Sequence, residues 1–87
     1  MPQLIVEQTF EQPLTDEEHG RMGARLDPCL EAHGARWVRS YVSTDRRRMV
    51  CAFEAPDAEA VRTSYRSAGV AFARVWVADV YTRDVAV

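Results

Sequence analysis

The chain contains no lysine and no asparagine, and all eleven of its basic residues are arginine. Without lysine it cannot form a Schiff base, hold pyridoxal phosphate covalently or build a phosphate-binding loop that ends in lysine. Its two cysteines are too few for a four-cysteine zinc site or an iron–sulfur cluster, and its two histidines are too few for a three-histidine zinc site. These absences exclude several common kinds of catalytic and metal site.

The sequence also lacks long hydrophobic runs and an excess of positive charge. No window approaches the roughly 18 apolar residues that a membrane span requires. The first ten residues carry Glu7 and no basic start, so they do not form a secretory signal, and a cytoplasmic location is expected. The net charge of −2 argues against a nucleic-acid partner. The only basic run, Arg46 to Arg48, lies between two strand-like segments and is interpreted as a solvated hairpin.

A length of 87 residues predicts one domain over residues 1–87. A chain of this size buries only about 60–65% of its unfolded surface, which leaves it marginally stable alone. We therefore expect a homodimer.

Hydrophobic periodicity and turn residues divide the chain into six elements. Thr15 and Glu18 form a capping box, and Asp57 is a good helix N-cap. The predicted elements are a strand at Gln3–Phe10, a helix between Thr15 and Gly34, strands at Arg36–Ser43 and Arg48–Glu54, a helix between Asp57 and Gly69, and a strand at Arg74–Thr82. Residues Arg83–Val87 are expected to form a tail or an extension.

This β-α-β-β-α-β order is typical of the ferredoxin-like α+β sandwich, in which two helices cover one face of a four-stranded antiparallel sheet. The other face needs solvent-tolerant residues, a partner or a ligand. Two such faces can also close on each other as a dimeric α+β barrel.

Strand alternation assigns each strand residue to one face of the sheet. The set expected to meet the helices is Leu4, Val6, Val38, Val42, Met49, Cys51, Phe53, Val75 and Val77. The opposite set is Ile5, Glu7, Thr9, Trp37, Arg39, Tyr41, Val50, Ala52, Glu54, Trp76, Ala78 and Val80. The second set mixes large aromatic side chains with charges, a composition found both in ligand pockets and in dimer interfaces.

The leading hypothesis is that this open face binds a small organic molecule. Arg39 would anchor an acidic group with its planar guanidinium, or bridge Glu7 and Glu54. The residues expected to bind the ligand are Glu7, Thr9, Trp37, Arg39, Tyr41, Glu54, Tyr65 and Trp76. An ordinary dimer interface is the alternative interpretation of the same residues.

The stretch EAPDAEA at positions 54–60, preceded by Val50 and Cys51, and the opening pattern MPxLxV resemble a family of small bacterial proteins. The best-known members of that family are nickel-responsive, nickel-binding proteins with a ferredoxin-like fold. The resemblance spans nearly the whole chain and implies this fold, with nickel or another divalent metal as an alternative ligand.

The resemblance also implies that the metal ligands are missing here. The histidines of those relatives correspond to Thr9, Gly23, Tyr65, Val70 and Trp76 of this chain. None of these side chains suits nickel, which prefers imidazole and carboxylate, and only Glu7 remains plausible. We therefore expect no metal site and no cofactor, and aromatic replacements that favour an organic ligand.

A small cofactor-free enzyme, such as a cyclase, isomerase or oxygenase, is the third hypothesis. Glu7, Glu54, Tyr41, Tyr65 or a histidine would then do the acid–base work. His19 and His33 are about 21 Å apart along a helix, too far for a metal pair. Cys29 and Cys51 are expected to be buried free thiols, although a disulfide between them stays open.

Overall fold

The computed structural model describes residues 3–83 and contains the six predicted elements in the predicted order. They are β1 (Gln3–Thr9), α1 (Asp16–Ala32), β2 (Arg36–Val42), β3 (Arg48–Glu54), α2 (Ala58–Ala68) and β4 (Arg74–Ala78). The fourth strand is shorter than the predicted Arg74–Thr82. Of the predicted tail, residues 84–87 lie outside the described part of the chain.

The helix ends follow the predicted capping residues. The side chain of Thr15 accepts a hydrogen bond of 3.1 Å from the backbone N–H of Glu18, and the side chain of Asp57 accepts one of 2.8 Å from that of Ala60. Gly69 ends α2 in the left-handed conformation, with a φ of 68° that glycine adopts without strain. Local sequence signals thus define where both helices begin and where α2 ends.

The four strands form one antiparallel sheet in the order β2-β3-β1-β4. Both helices cover the same face, so the ferredoxin-like α+β sandwich is confirmed. Neither helix in the described part of the chain is long and apolar enough to cross a membrane.

The core lies between this sheet and the two helices, and aromatic rings occupy its centre. Tyr65 of α2 is fully buried; its ring meets Phe53 edge to face at 6.0 Å and Phe72 at 5.6 Å. The remaining core residues are Leu4, Val6, Leu14, Leu26, Leu30, Ala35, Met49, Cys51, Ala55, Val61, Val70 and Val75. Val77, which was also expected to meet the helices, is 58% exposed near the end of β4.

A β-bulge in β2 overturns part of the predicted face assignment. Trp37 pairs with Phe53, but the next paired residue of β2 is Arg39, which faces Ala52. The extra residue, Val38, reverses the alternation, so Trp37 and Ser40 both lie on the helix side. The prediction that Trp37 lies on the open face is therefore wrong, because strict alternation does not allow for an inserted residue.

The arginine run in the β2–β3 connection is more than a solvated hairpin. The Nε of Arg46 donates to the carbonyl of Leu14 at 2.8 Å, and its guanidinium also bonds Asp16 at 2.8 Å. Arg47 donates to the carbonyl of Glu11 at 2.7 Å. These bonds tie the hairpin turn to the loop that precedes α1.

Candidate functional site

A cavity of about 210 Å³ lies between α1 and the helix-facing side of the sheet. Three aromatic and two thioether side chains contribute to its lining, together with two leucines of α1. They are Trp37, Phe53, Tyr65, Met22, Met49, Leu26 and Leu30. Such a wall suits an apolar, and in particular an aromatic, occupant, because aromatic rings and methionine sulfur pack favourably against aromatic rings.

The cavity borders a part of α1 that has few side chains to fill it. Gly20 and Gly23 are three residues apart, so they lie on neighbouring turns of one helix face, and both line the cavity. A Cβ atom added at either position would meet nothing within 4 Å. Packing therefore does not require glycine here, although each glycine costs a helix about 1 kcal/mol relative to alanine.

A chain of hydrogen bonds crosses the sheet side of the cavity. The indole N–H of Trp37 donates to the Ser40 hydroxyl at 2.9 Å, and that hydroxyl donates to the Cys51 sulfur at 3.0 Å. All three residues line the cavity. The bulge brings Trp37 to this side of β2, where Ser40 already lies by alternation with Val42 and contacts Cys51.

Two buried polar atoms belong to residues that line the cavity. Gln8 Oε1 has no hydrogen-bond partner within the described residues, and the Tyr65 hydroxyl has none there except the weakly bonding thiol of Cys51. Gln8 is 3% exposed and Tyr65 is 0% exposed. The amide nitrogen of Gln8 is already used, since it donates to the carbonyl of Ala71 at 3.0 Å and contacts the Met22 sulfur at 3.5 Å. Buried polar atoms without partners are uncommon in folded proteins and call for an explanation.

Burial keeps two side chains of the cavity, Tyr65 and Cys51, neutral. Removal from water raises the pKa of Tyr65 well above its usual range, and the neighbouring Cys51 thiol raises it further. Burial also raises the pKa of Cys51, partly opposed by hydrogen bonds from Ser40 and Tyr65. The tyrosine hydroxyl and the thiol therefore both carry their protons at neutral pH.

The opposite, open face of the sheet holds most of the residues that were expected to bind a ligand. The carboxylate of Glu7 accepts a hydrogen bond of 2.7 Å from the indole N–H of Trp76 and lies 3.9 Å from the Arg74 guanidinium. Glu54 pairs with Arg36. These contacts involve half-exposed or exposed side chains in water, where ion pairs contribute little to stability.

The expected bridge from Arg39 to Glu7 and Glu54 is not formed. Over residues 3–83, Arg39 makes an ion pair with neither carboxylate, and it is exposed beside Tyr41, which is 64% exposed. Thr9 is also exposed, at the end of β1.

The structure does not bring the eight expected ligand-binding residues together. Glu7, Thr9, Arg39, Tyr41, Glu54 and Trp76 lie on the open face, whereas Trp37 and Tyr65 lie at the cavity on the other side of the sheet. The expected position of Tyr65 on the open face is wrong. Its place in the apolar stripe of α2, four residues after Val61, already indicated a core position.

The cavity includes residues that reasoning from sequence alone missed. Gln8, Ser40 and the two glycines of α1 carried no recognisable motif. A polar residue at a helix-facing position was the available signal for Gln8 in β1 and for Ser40 in β2, because alternation places Ser40 on the same side as Val42. Cys29 and Cys51 are free thiols, and Cys51 lines the cavity.

Residues 4–77 match the family described as "Nickel responsive protein SCO4226-like". The chain belongs to this SCO4226-like family. Among solved structures, SCO4226 from Streptomyces coelicolor A3(2) is similar with a TM-score of 0.82, over 92% of this chain and 99% of that one. The two sequences are 12% identical, so this likeness bears on the fold alone. No curated protein matches the chain.

The residues of this SCO4226-like chain do not fit a nickel ion. Among residues 3–83, no three His, Cys, Asp or Glu side chains are grouped so that they could hold a metal. Glu7, the remaining plausible ligand, is engaged by Trp76 and Arg74 on the open face. Gly23, Tyr65 and Val70 lie on the other side of the sheet, so they cannot complete a site with Glu7.

Proposed function

We propose that this protein binds a small, uncharged organic molecule in the cavity between α1 and the sheet. The observation that carries the proposal is a cavity of about 210 Å³ with a mainly aromatic and thioether wall, lined also by Gln8, whose buried Oε1 lacks a partner in the described residues. A mostly apolar pocket with a few polar groups is the usual form of a small-molecule site.

The size of the cavity indicates the size of the ligand. An apolar cavity of about 150 Å³ in an engineered lysozyme holds benzene, so a substituted single ring fits in the larger volume here. The lining supports an aromatic molecule, because Trp37, Phe53 and Tyr65 provide ring contacts and Met22 and Met49 provide sulfur contacts.

The charge of the ligand can be inferred from the ionisable groups that line the cavity. Besides Cys51 and Tyr65, two of the described residues that line the cavity have ionisable side chains. They are His19 and Asp27 of α1, and Asp27 is exposed. A carboxylate or ammonium group within the buried part of the cavity would lose its hydration without gaining an opposite charge. The proposed ligand is therefore neutral.

Binding of p-xylene tests this proposal, because it is a neutral single ring without polar groups. In heteronuclear NMR titrations, we expect p-xylene to shift the amide signals of cavity residues such as Ser40 and Cys51. The shifts should reach a plateau as the p-xylene concentration rises. Arg39→Ala is the matched control for the open face and should leave these shifts unchanged. Shifts confined to open-face residues such as Tyr41 would contradict the cavity assignment and restore the open face as the site.

Nickel binding is the second candidate, because the family is described as nickel responsive. Among residues 3–83, no three His, Cys, Asp or Glu side chains are grouped to hold a metal, which argues against micromolar nickel binding. We expect isothermal titration of the metal-free protein with nickel chloride to give no saturable heat in the micromolar range. Binding in that range that is lost in Glu7→Ala would overturn this expectation.

Self-association through the open face remains a separate proposal. Tyr41, Val50 and Trp76 are exposed on that face, beside arginine and glutamate side chains of both signs. Aromatic and arginine residues are enriched at protein interfaces. A cytoplasmic homodimer is expected, and Tyr41→Glu should convert it to a monomer in sedimentation velocity. A wild-type chain that stays monomeric at high micromolar concentration would contradict this.

A further inference from the structure

We infer that the cavity beside α1 is also a binding site for a soft monovalent metal ion, of which copper(I) is the biological example. The side chains that would hold the ion are one imidazole, two thioethers and one thiol, namely His19, Met22, Met49 and Cys51. This inference goes beyond the proposed function, because it requires no organic molecule in the cavity.

The four side chains line the cavity in two pairs, one from each wall. His19 and Met22 are three residues apart in α1 and therefore lie side by side on one face of the helix. Met49 and Cys51 are two residues apart in β3 and both project from the helix-facing side of the sheet. A pair of ligands from the helix thus meets a pair from the strand at one cavity.

The sulfur of Met22 lies close to the strand pair. It is 3.5 Å from the amide nitrogen of Gln8, and Gln8 is paired directly with Met49 in the register of β1 and β3. Directly paired residues of antiparallel strands have neighbouring side chains on one face, with Cβ atoms about 5 Å apart. Because a methionine side chain is unbranched and adaptable, both thioethers can turn toward one ion.

Two hydroxyl groups donate to the Cys51 sulfur. The Ser40 hydroxyl lies 3.0 Å from it, and the Tyr65 hydroxyl is its second side-chain donor. A protonated thiol is only a weak acceptor, whereas hydrogen bonds of this kind orient and stabilise a thiolate that holds a metal. The two donors therefore suit the thiolate form of Cys51.

Ligand type and charge select the metal. Thiolate and thioether sulfur are ligands of copper(I), and thioethers are not ligands that nickel(II) favours. Binding would break the S–H bond of Cys51, form a sulfur–metal bond and release the proton to solvent. A monovalent cation and one thiolate together are neutral, whereas a divalent ion would leave a net positive charge buried.

Silver(I) is the probe for this site, because it shares the charge and the ligand preference of copper(I) and does not change its oxidation state. Silver nitrate is added to the protein in chloride-free buffer while the methionine methyl signals are followed by heteronuclear NMR. We expect the Met22 and Met49 signals to shift. The matched control is Cys29→Ser, which removes the other free thiol, outside the cavity, and should keep both shifts with a plateau at one ion per chain. Cys51→Ser should lose them.

Competition with glutathione, a free thiol without neighbouring thioethers, compares the affinities of the variants. We expect Met22→Leu and Met49→Leu each to weaken silver binding about tenfold or more, as the loss of a residue around a metal usually does. His19→Gln should weaken it as well. Leucine has nearly the volume of methionine, so both leucine variants should stay folded, which thermal unfolding checks.

The possible results separate this inference from the proposed function. If silver binds without moving the Met22 or Met49 signal, or binds equally well in both leucine variants, cysteine alone holds the ion and the inference is wrong. It is also wrong if micromolar silver does not bind. None of these results affects the proposed function, which depends on the p-xylene titration. If silver shifts both methionine signals but p-xylene shifts no cavity residue, the proposed function fails and the metal site stands.

Discussion

Phe53→Ala is expected to lower the free energy of unfolding by about 3 to 5 kcal/mol. The side chain is 2% exposed, packs edge to face on Tyr65 at 6.0 Å and faces the cavity. Its removal therefore loses buried apolar surface and an aromatic pair, and it enlarges an existing void that the surroundings cannot easily close. For a small domain with a total stability of about 5 to 15 kcal/mol, this is a large fraction.

Urea denaturation followed by circular dichroism measures this effect. The matched control is Val50→Ala, three residues earlier in β3 but exposed on the open face, for which a change of about 0.5 kcal/mol or less is expected. A Phe53→Ala variant that loses less than about 1 kcal/mol would show that the core repacks around the vacated space, and the central place of the Phe53–Tyr65 pair would have to be abandoned.

Gly23→Leu is expected to abolish binding of p-xylene while making the protein more stable. A side chain at this position starts from a Cβ that meets nothing within 4 Å and borders the cavity, so leucine can occupy the space that a ligand would use. Replacing a glycine within a helix also gains about 1 kcal/mol of helix propensity. Stability and binding should thus change in opposite directions.

Thermal unfolding and NMR titration of the same variant provide the two measurements. Ala32→Leu is the control, because it adds a similar side chain to α1 at an exposed position away from the cavity. It should leave binding unchanged. If Gly23→Leu binds p-xylene as well as the wild type does, the ligand does not occupy the space next to α1.

This opposition gives a physical reason for two glycines in the middle of α1. Natural sequences seldom reach their maximum stability, and stabilising substitutions often reduce function. Gly20 and Gly23 weaken a helix that also contains Pro28, yet no close packing requires them. Binding of the proposed ligand in the cavity beside them would account for the absence of side chains at these two positions.

The amino-acid sequence by itself was sufficient for the element order and the fold. Periodicity, the Thr15 and Asp57 caps and the glycine stop at Gly69 are local signals, and the β-α-β-β-α-β order they predict is the observed one. The resemblance to the nickel-responsive family was also confirmed. These signals can be recognised in the sequence because caps, turns and alternation depend on residues that are close together in the chain.

Only the tertiary structure decided where the candidate site lies. Inserting Val38 into β2 turns Trp37 toward the helices, and the packing of α2 buries Tyr65 on the same side. The cavity then depends on how far α1 stands from the sheet, which is set by contacts between residues distant in sequence. Strand alternation assigns faces correctly only while every residue of a strand is paired in turn. A single bulge in β2 therefore moved Trp37 to the opposite face.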